Sequence, residues 1–174
     1  MATRTAAPVR PRRPATEDEV KALASTLRMR ILRVCLGEPK SNKEIAEILG
    51  KDAASTLHHV RRLVDTGFLA AQPVRRGTRG SREIPYLATG KSWTLSTPSG
   101  TGVLLEAFLE EVALVPVETV NTTRLGLRLS PEDRADLDGR LSALLEEFRV
   151  RADADGTGDA WSVFVAIHPD PNRP

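Results

Sequence analysis

The most prominent candidate binding residues of this sequence are arginines. Residues 75–82 contain two glycines, no acid and four arginines, namely Arg75, Arg76, Arg79 and Arg82. A guanidinium is permanently charged, and its planar fork of donors fits phosphate oxygens as well as the O6 and N7 acceptors of guanine. Four such groups on a glycine-containing segment predict contact with phosphates or a minor groove. A loop that is merely solvated is the alternative.

A second group of polar side chains lies just before this run, in residues 53–65. If a helix begins after Asp52, its polar face consists of Ser55, His58, Arg61 and Arg62. The fork of Arg62 could bind a guanine, whereas Arg61 is expected to contact a phosphate. Adjacent helical residues point about 100° apart, so His58 and His59 cannot readily share a ligand. One is expected on the DNA-facing side and the other near the edge of the core. The remaining candidates for DNA contact are Ser41, Asn42, Thr56 and His59.

Nothing in the sequence indicates catalysis or a resident metal. It contains no glycine-rich phosphate motif, no cluster of metal ligands and no pairing of a nucleophile with a base. The single cysteine, Cys35, lies in an apolar run and is expected to be buried. We therefore expect a protein that is not an enzyme, needs no cofactor and binds no metal within one protomer.

The charge is distributed unevenly along the chain. Residues 1–95 hold 18 Lys and Arg against 9 Asp and Glu, whereas residues 96–174 hold 7 against 14. The basic half suits a polyphosphate surface, which would repel the acidic half. No apolar stretch reaches the ~18 residues needed to cross a bilayer, and no secretory signal is apparent. These features predict a soluble, cytoplasmic protein.

Helix caps and glycines predict the helices and turns that carry the basic residues. Thr16 to Glu19 and Ser41 to Glu44 are capping boxes, and Gly50 and Gly67 suit helix ends. Two helices joined by a short turn with a glycine form a helix-turn-helix. Strands are predicted at residues 68–74 and 84–88, on either side of the arginine-rich run, which would then be a wing.

The rest of the chain predicts a helix and a further module. A helix over residues 99–115 has more apolar surface than one packing face needs, and its candidate dimer contacts are Leu104, Leu105, Phe108, Leu109 and Val112. A strand at 125–129, a long helix capped by Ser130 and a strand at 161–167 follow. The apolar stripe of the long helix consists of Leu137, Leu141, Leu144 and Phe148.

The predicted fold class is mainly α with small β (α+β). The expected organisation is a disordered basic arm (1–15), a winged helix-turn-helix domain (16–96), a dimerisation helix (97–116), a strand-helix-strand module (117–169) and a tail (170–174).

Residues 17–90 resemble the ArsR-type winged helix regulators. The resemblance is carried by KALASTLRMRIL at 21–32, EIAEIL at 44–49 and STLHHVRRLVDTGFL at 55–69. It implies a homodimeric bacterial repressor that binds double-stranded DNA, with recognition helix 53–65 in the major groove and wing 75–82 beside it. Two protomers would then read an inverted repeat.

The sequence departs from the metal-sensing members of that family. They carry a Cys-x-Cys pair near the first helix of the motif or Asp and His ligands on the dimer helix, and neither pattern occurs here. Two alternatives stay open. The winged helix could bind another protein, or the C-terminal module could bind a small-molecule effector against Trp93, Phe108, Phe148, Trp161 and Phe164, although plain core packing also explains these aromatic residues.

Overall fold

A computed structural model describes residues 12–77, 80–96, 101–155 and 158–173, without the side chains of residues 101 and 153–155. The chain divides into two compact units at Pro116, one spanning Pro11–Pro116 and the other containing Val117–Pro174. The described part is mainly helical with short strands, so the predicted α+β class is confirmed. No described helix is long and apolar enough to cross a membrane. Most of the predicted basic arm, residues 1–11, lies outside the described residues.

The described residues of the first unit form five α-helices and seven short strands. Its helices are α1 (Glu17–Leu23), α2 (Thr26–Val34), α3 (Asn42–Leu49), α4 (Ala53–Asp65) and α5 (Thr101–Val112). Its strands are β1 (Arg13–Pro14), β2 (Lys40–Ser41), β3 (Leu69–Ala71), β4 (Arg75–Arg76), β5 (Arg82–Glu83), β6 (Pro85–Ala88) and β7 (Leu95–Ser96). Strand β6 pairs antiparallel with β2 and β3, β4 pairs antiparallel with β5, and β1 pairs parallel with β7.

The helices begin and end where the caps predict. The Thr16 hydroxyl accepts a hydrogen bond from the Glu19 backbone N–H at 3.3 Å, and the Glu19 carboxylate accepts from the Thr16 N–H at 2.8 Å. Ser41 and Glu44 repeat this reciprocal arrangement at the start of α3. Helix α3 ends at Gly50, whose φ of 62° lies in the left-handed region that glycine adopts without steric cost. Both capping boxes are therefore confirmed.

The core of the first unit lies where α2, α3 and α4 meet β3. Its largest fully buried side chains include Ile31, Ile45, Leu63 and Phe68. The Cys35 thiol is buried among them, which raises its pKa to about 12 and keeps it neutral. Its predicted role as a small buried hydrophobe is confirmed.

The predicted strand at 68–74 is shorter in the structure, because β3 ends at Ala71 before Pro73. Proline has no N–H to donate to a neighbouring strand. The register of β3 against β6 pairs Leu69 with Ala88 and Ala71 with Tyr86. The chain then continues into β4 and β5, which form the hairpin predicted as a wing.

Helix α5 packs against α2 through its polar edge. Ala107 is buried at this contact, and two ion pairs flank it, Arg30 to Glu110 at 3.2 Å and Arg33 to Glu111 at 3.7 Å. The leucines of α5 therefore lie on other sides of the helix. The predicted start of this helix at Ser99 lies outside the described residues.

The second unit is built around one long helix, α6 (Pro131–Asp155). The Asp133 N–H donates to the Ser130 hydroxyl at 3.0 Å, so the predicted N-cap is confirmed. The predicted strands at 125–129 and 161–167 are wrong for the single chain, because both segments lack regular structure. An isolated pair of strands is at best marginally stable in water. The predicted stripe of α6 is only partly covered, since Leu137 and Leu141 are half-buried whereas Leu144 and Phe148 are exposed.

The buried carboxylate of Glu19 joins several elements of the first unit. Its two oxygens accept hydrogen bonds from Arg13 at 2.6 and 2.8 Å, and the Lys91 ammonium lies 2.7 Å away. Lys91 also donates to the Thr66 carbonyl at 2.6 Å, just beyond the end of α4. Bonds from Arg13, from Lys91 and from the Thr16 N–H hold the pKa of Glu19 far below its ordinary value.

Glu19→Gln should lower the free energy of unfolding by about 2 kcal/mol, because it removes a buried charge that the exposed Arg13 and the half-buried Lys91 contact. Urea denaturation followed by circular dichroism measures this loss. Glu17→Gln on the same helix is the control, since Glu17 and its partner Lys21 are largely exposed and their pair should contribute less than about 0.5 kcal/mol.

The loss should depend on pH. A carboxylate with a lowered folded-state pKa stabilises the fold above its unfolded pKa, and this stabilisation disappears as the pH falls. The difference between wild type and Glu19→Gln should therefore shrink from about pH 5 to about pH 2. A difference that stays constant over this range would contradict the assignment.

Candidate nucleic-acid interface

Helix α4 presents a polar face that the core holds in place. Thr56, Val60 and Leu63 are buried on its inner side. Its start is fixed by Asp52, whose carboxylate accepts a hydrogen bond from the Ser55 N–H at 2.9 Å. The outer side carries three exposed residues of the predicted set, Ser55, His58 and Arg61.

Ser41 and Thr56 do not belong to this face. Ser41 is buried as the cap of α3, and its hydroxyl accepts from the Glu44 N–H at 3.4 Å. Thr56 is fully buried, and its hydroxyl donates to the Asp52 carbonyl at 2.8 Å. Both residues are predicted DNA contacts, but in the structure both are buried and their hydroxyls satisfy backbone groups, that of Ser41 at the start of α3 and that of Thr56 in the first turns of α4.

Asn42 connects the beginnings of the two helices of the motif. Its side-chain amide donates to the Ala53 carbonyl at 2.8 Å, while its Oδ1 is buried without a hydrogen-bond partner. The amide therefore fixes the position of α4 relative to α3. This contact makes Asn42 a positioning residue of the turn.

The two adjacent histidines lie in different surroundings, as expected from helical geometry. His58 is exposed, whereas His59 is half-buried, with its Nδ1 3.4 Å from a guanidinium nitrogen of Arg28. Arg28 also donates to the carbonyls of Lys21 at 2.8 Å and of Ala22. Burial first, and then the charge of Arg28, lower the pKa of His59. His59 therefore contacts Arg28 of α2 and, unlike His58, is not exposed on the outer side of α4.

The two adjacent arginines of α4 also separate. Arg62 contacts Asp18 of α1, with distances of 3.2 Å to the carboxylate and 3.4 Å to the backbone carbonyl. Arg61 is exposed and forms no ion pair with any residue that the structure describes. The guanidinium that is available to a ligand is thus that of Arg61, whereas Arg62 joins α4 to α1.

The wing places two like charges opposite one another. Arg76 of β4 is the direct partner of Arg82 in β5, and both are exposed. Arg75 instead contacts Glu44 of α3 and lies 3.9 Å from Glu83. Together with Val74 and Gly80, the three arginines line an open depression of about 550 Å³. Arg79 lies outside the described residues.

The predicted dimer residues form an exposed apolar face on α5. Leu104, Leu105 and Leu109 are between 42% and 53% exposed, and Phe108 and Val112 are half-buried beside them. Since the α2 side of the helix is occupied by Ala107 and the glutamates, these leucines are left without a covering element in the described chain.

The aromatic residues considered for an effector differ in their surroundings. Trp161 and Phe148 are 80% and 55% exposed. Trp93 instead lies beneath the Arg12 guanidinium, which is 4.7 Å from its ring centroid. In the described part of the chain no group of three or more His, Cys, Asp or Glu side chains could hold a metal.

Several positioning residues were not foreseen from the sequence. Asp18, Arg28 and Lys91 each contact a residue at least six positions away, and their partners are identified only by the fold. For Glu19, the capping box in the sequence indicates the hydrogen bond from the Thr16 N–H, but nothing in the sequence indicates the contacts with Arg13 and Lys91.

The first unit is a winged helix-turn-helix domain, since α3 and α4 are joined by a short turn and are followed by the β4–β5 wing. Neither a family model nor a curated protein matches the chain. It is similar to solved structures of transcription regulators at low identity.

One similar structure is the homodimeric winged helix-turn-helix DNA-binding domain of Mb0332 from Mycobacterium bovis, a possible ArsR-family regulator. The two sequences are 20% identical over 62% of this chain and 82% of that chain, and the TM-score is 0.35. Another is ZitR from Lactococcus lactis, at 23% identity over 71% and 74% with a TM-score of 0.34. A third is MepR, a regulator of a multidrug efflux pump of Staphylococcus aureus, at 14% over 76% and 79% with a TM-score of 0.28. These values are too low to transfer a function.

Proposed function

We propose that the protein binds double-stranded DNA as a homodimer and acts as a transcriptional repressor. Helix α4 enters the major groove, and the β4–β5 wing contacts the phosphate backbone beside it. The observation that carries this proposal is the pairing of Arg76 with Arg82 across the wing. Like charges directly opposite one another destabilise a strand pair unless an anion lies near both.

The wing supplies the sequence-independent part of the binding. Each arginine that neutralises a phosphate releases condensed counterions, which favours binding at low salt. Arg75 contributes less to this effect because its charge is already matched by Glu44. The exposed cations Arg76 and Arg82 are therefore the principal phosphate contacts of the described wing.

Helix α4 supplies the sequence-dependent part. Ser55, His58 and Arg61 follow one another at spacings of three residues, so they lie along one side of the helix. Their exposure, together with the buried residues opposite, lets this side enter a groove without disturbing the core. His58 lies at the centre and is assigned to a base edge, whereas Arg61 is assigned to a phosphate.

The dimer would form through the exposed leucines of α5. A face containing Leu104, Leu105 and Leu109 loses contact with water when it packs against the same face of a second copy. Two-fold symmetry would place two α4 helices about one DNA turn apart, so the preferred site is an inverted repeat.

The first test concerns sequence recognition. A preferred site is first selected from genomic fragments bound by the purified protein, and affinity is then measured by fluorescence anisotropy. His58→Ala should weaken binding to that site by about 1 to 3 kcal/mol and weaken binding to random DNA much less. Arg61→Ala should weaken both alike, because a phosphate contact carries no sequence information. A His58→Ala loss of equal size on both DNAs would remove this residue from base recognition.

The second test concerns the wing. In the double variant Arg76→Ala/Arg82→Ala, the slope of log affinity against log salt concentration should fall by about one to two units on any DNA sequence. Arg140→Ala, which removes a cation of the second unit that is paired with Asp136, is the control and should leave the slope unchanged. If the slope of the double variant equals that of wild type, the wing does not contact phosphate.

The third test concerns the dimer. Leu105→Glu should shift the protein toward monomer in sedimentation equilibrium, because it buries a charge in an apolar contact. Leu36→Glu, a matched change at an apolar residue that is 50% exposed outside α5, should leave the dimer intact. A Leu105→Glu variant that dimerises like wild type would exclude this face.

A further inference from the structure

The second unit has apolar surface but no apolar core. Among its described residues, Glu146 is the one that is buried, and no large hydrophobic side chain is. Eleven large apolar side chains of this unit are at least 40% exposed. Exposed apolar surface of this extent in a protein marks an interaction site.

Much of this surface lies on the two segments that flank α6. In residues 161–167, Trp161, Val163, Val165 and Ile167 are exposed, whereas Phe164 on the alternate positions is half-buried. In residues 125–129 all five residues are exposed, and the three leucines occupy alternate positions of the sequence. Both segments have the pattern of a strand that is covered on one face, yet neither pairs with a strand in the single chain.

The net charge of this unit makes another protein a better covering partner than DNA. Residues 117–174 carry 11 acidic against seven basic side chains, a net charge of −4. A polyanion would be repelled by this surface, whereas apolar side chains of another protein would not.

The area that a stable dimer buries indicates which protein covers this surface. The 12 residues of α5 form a helix about 18 Å long and about 10 Å wide, so one of its faces covers roughly 200 Å². A stable interface buries about 800 Å² on each partner. The proposed dimer therefore needs further apolar surface, and the exposed segments of the second unit supply it in the same chain.

We infer that the second units of two protomers pack on one another through residues 125–129 and 161–167, which become paired strands in the dimer. This inference rests on the proposed homodimer and adds a second contact to it. Once α5 brings two copies together, the pairing of the second units is intramolecular and benefits from a high effective concentration. The two copies present identical segments, as a two-fold symmetric interface requires.

A pair of lysine variants tests the covered face in the full-length protein. Val163→Lys should raise the dissociation constant of the dimer at least tenfold in sedimentation equilibrium. Ser162→Lys adds the same charge at the neighbouring position, on the other side of the segment. This variant should change the dissociation constant of the dimer less than twofold. Equal effects of the two variants, or no effect of Val163→Lys, would overturn the inference.

Hydrogen exchange tests the strand pairing itself. The amides of residues 125–129 and 161–167 should exchange slowly above the dissociation constant and quickly after dilution below it. Slow exchange in both states would show pairing within one chain, and rapid exchange in both would show no strands. Either result would overturn the inference.

The outcomes separate this inference from the proposed function. If Leu105→Glu dissociates the dimer while Val163→Lys does not, the α5 contact is supported and the contact between the second units is excluded. If Val163→Lys alone dissociates the dimer, the contact between the second units is supported and the α5 contact is excluded. Neither measurement involves DNA, so DNA binding is judged independently.

Discussion

The arrangement of the first unit depends on the buried carboxylate of Glu19. It connects β1 through Arg13, the start of α1 through Thr16 and the end of α4 through Lys91. A buried charge is costly unless it is paired and hydrogen-bonded, and here all of these partners converge on one group. The end of α4 is thereby fixed to the N-terminal part of the domain, so that the packed helices hold its exposed side in place.

Ion pairing also distinguishes the arginines that connect elements of the first unit from those that are available to a ligand. Arg13, Arg62 and Arg75 each contact an acid of another element. The exposed Arg61, Arg76 and Arg82 have no such close ion pair in the described residues. An arginine already matched by a carboxylate gains little from a phosphate, whereas an unmatched one gains the full release of counterions. This contrast favours Arg61 over Arg62 as the arginine of α4 that would contact DNA, whereas the sequence alone favours Arg62 as a base-reading residue.

The sequence predicted the parts of the fold that local interactions determine. Capping boxes at Thr16 and Ser41 and the glycine after α3 set helix limits within a few residues, so the helix-turn-helix could be predicted from short-range rules. The contact of Arg62 with Asp18 could not, because 44 residues separate them and only the packed helices bring them together. The prediction of strands at 125–129 and 161–167 was wrong for a related reason. Alternating apolar residues indicate a face to be covered, but a strand also needs a partner for its backbone, and that requirement is not visible in the pattern itself.

The opposite charges of the two halves of the chain assign them to different kinds of partner. Contacts of the basic half with phosphates weaken as ionic strength rises, because counterion release yields less free energy in concentrated salt. Burial of the apolar residues on α5 and in the second unit depends on the exclusion of water and is not weakened in this way. The proposed self-association and the proposed DNA binding would therefore rest on different physical forces. As salt is raised, the dimer should persist after DNA has been released, so that DNA binding is regained by the dimer rather than by separate protomers.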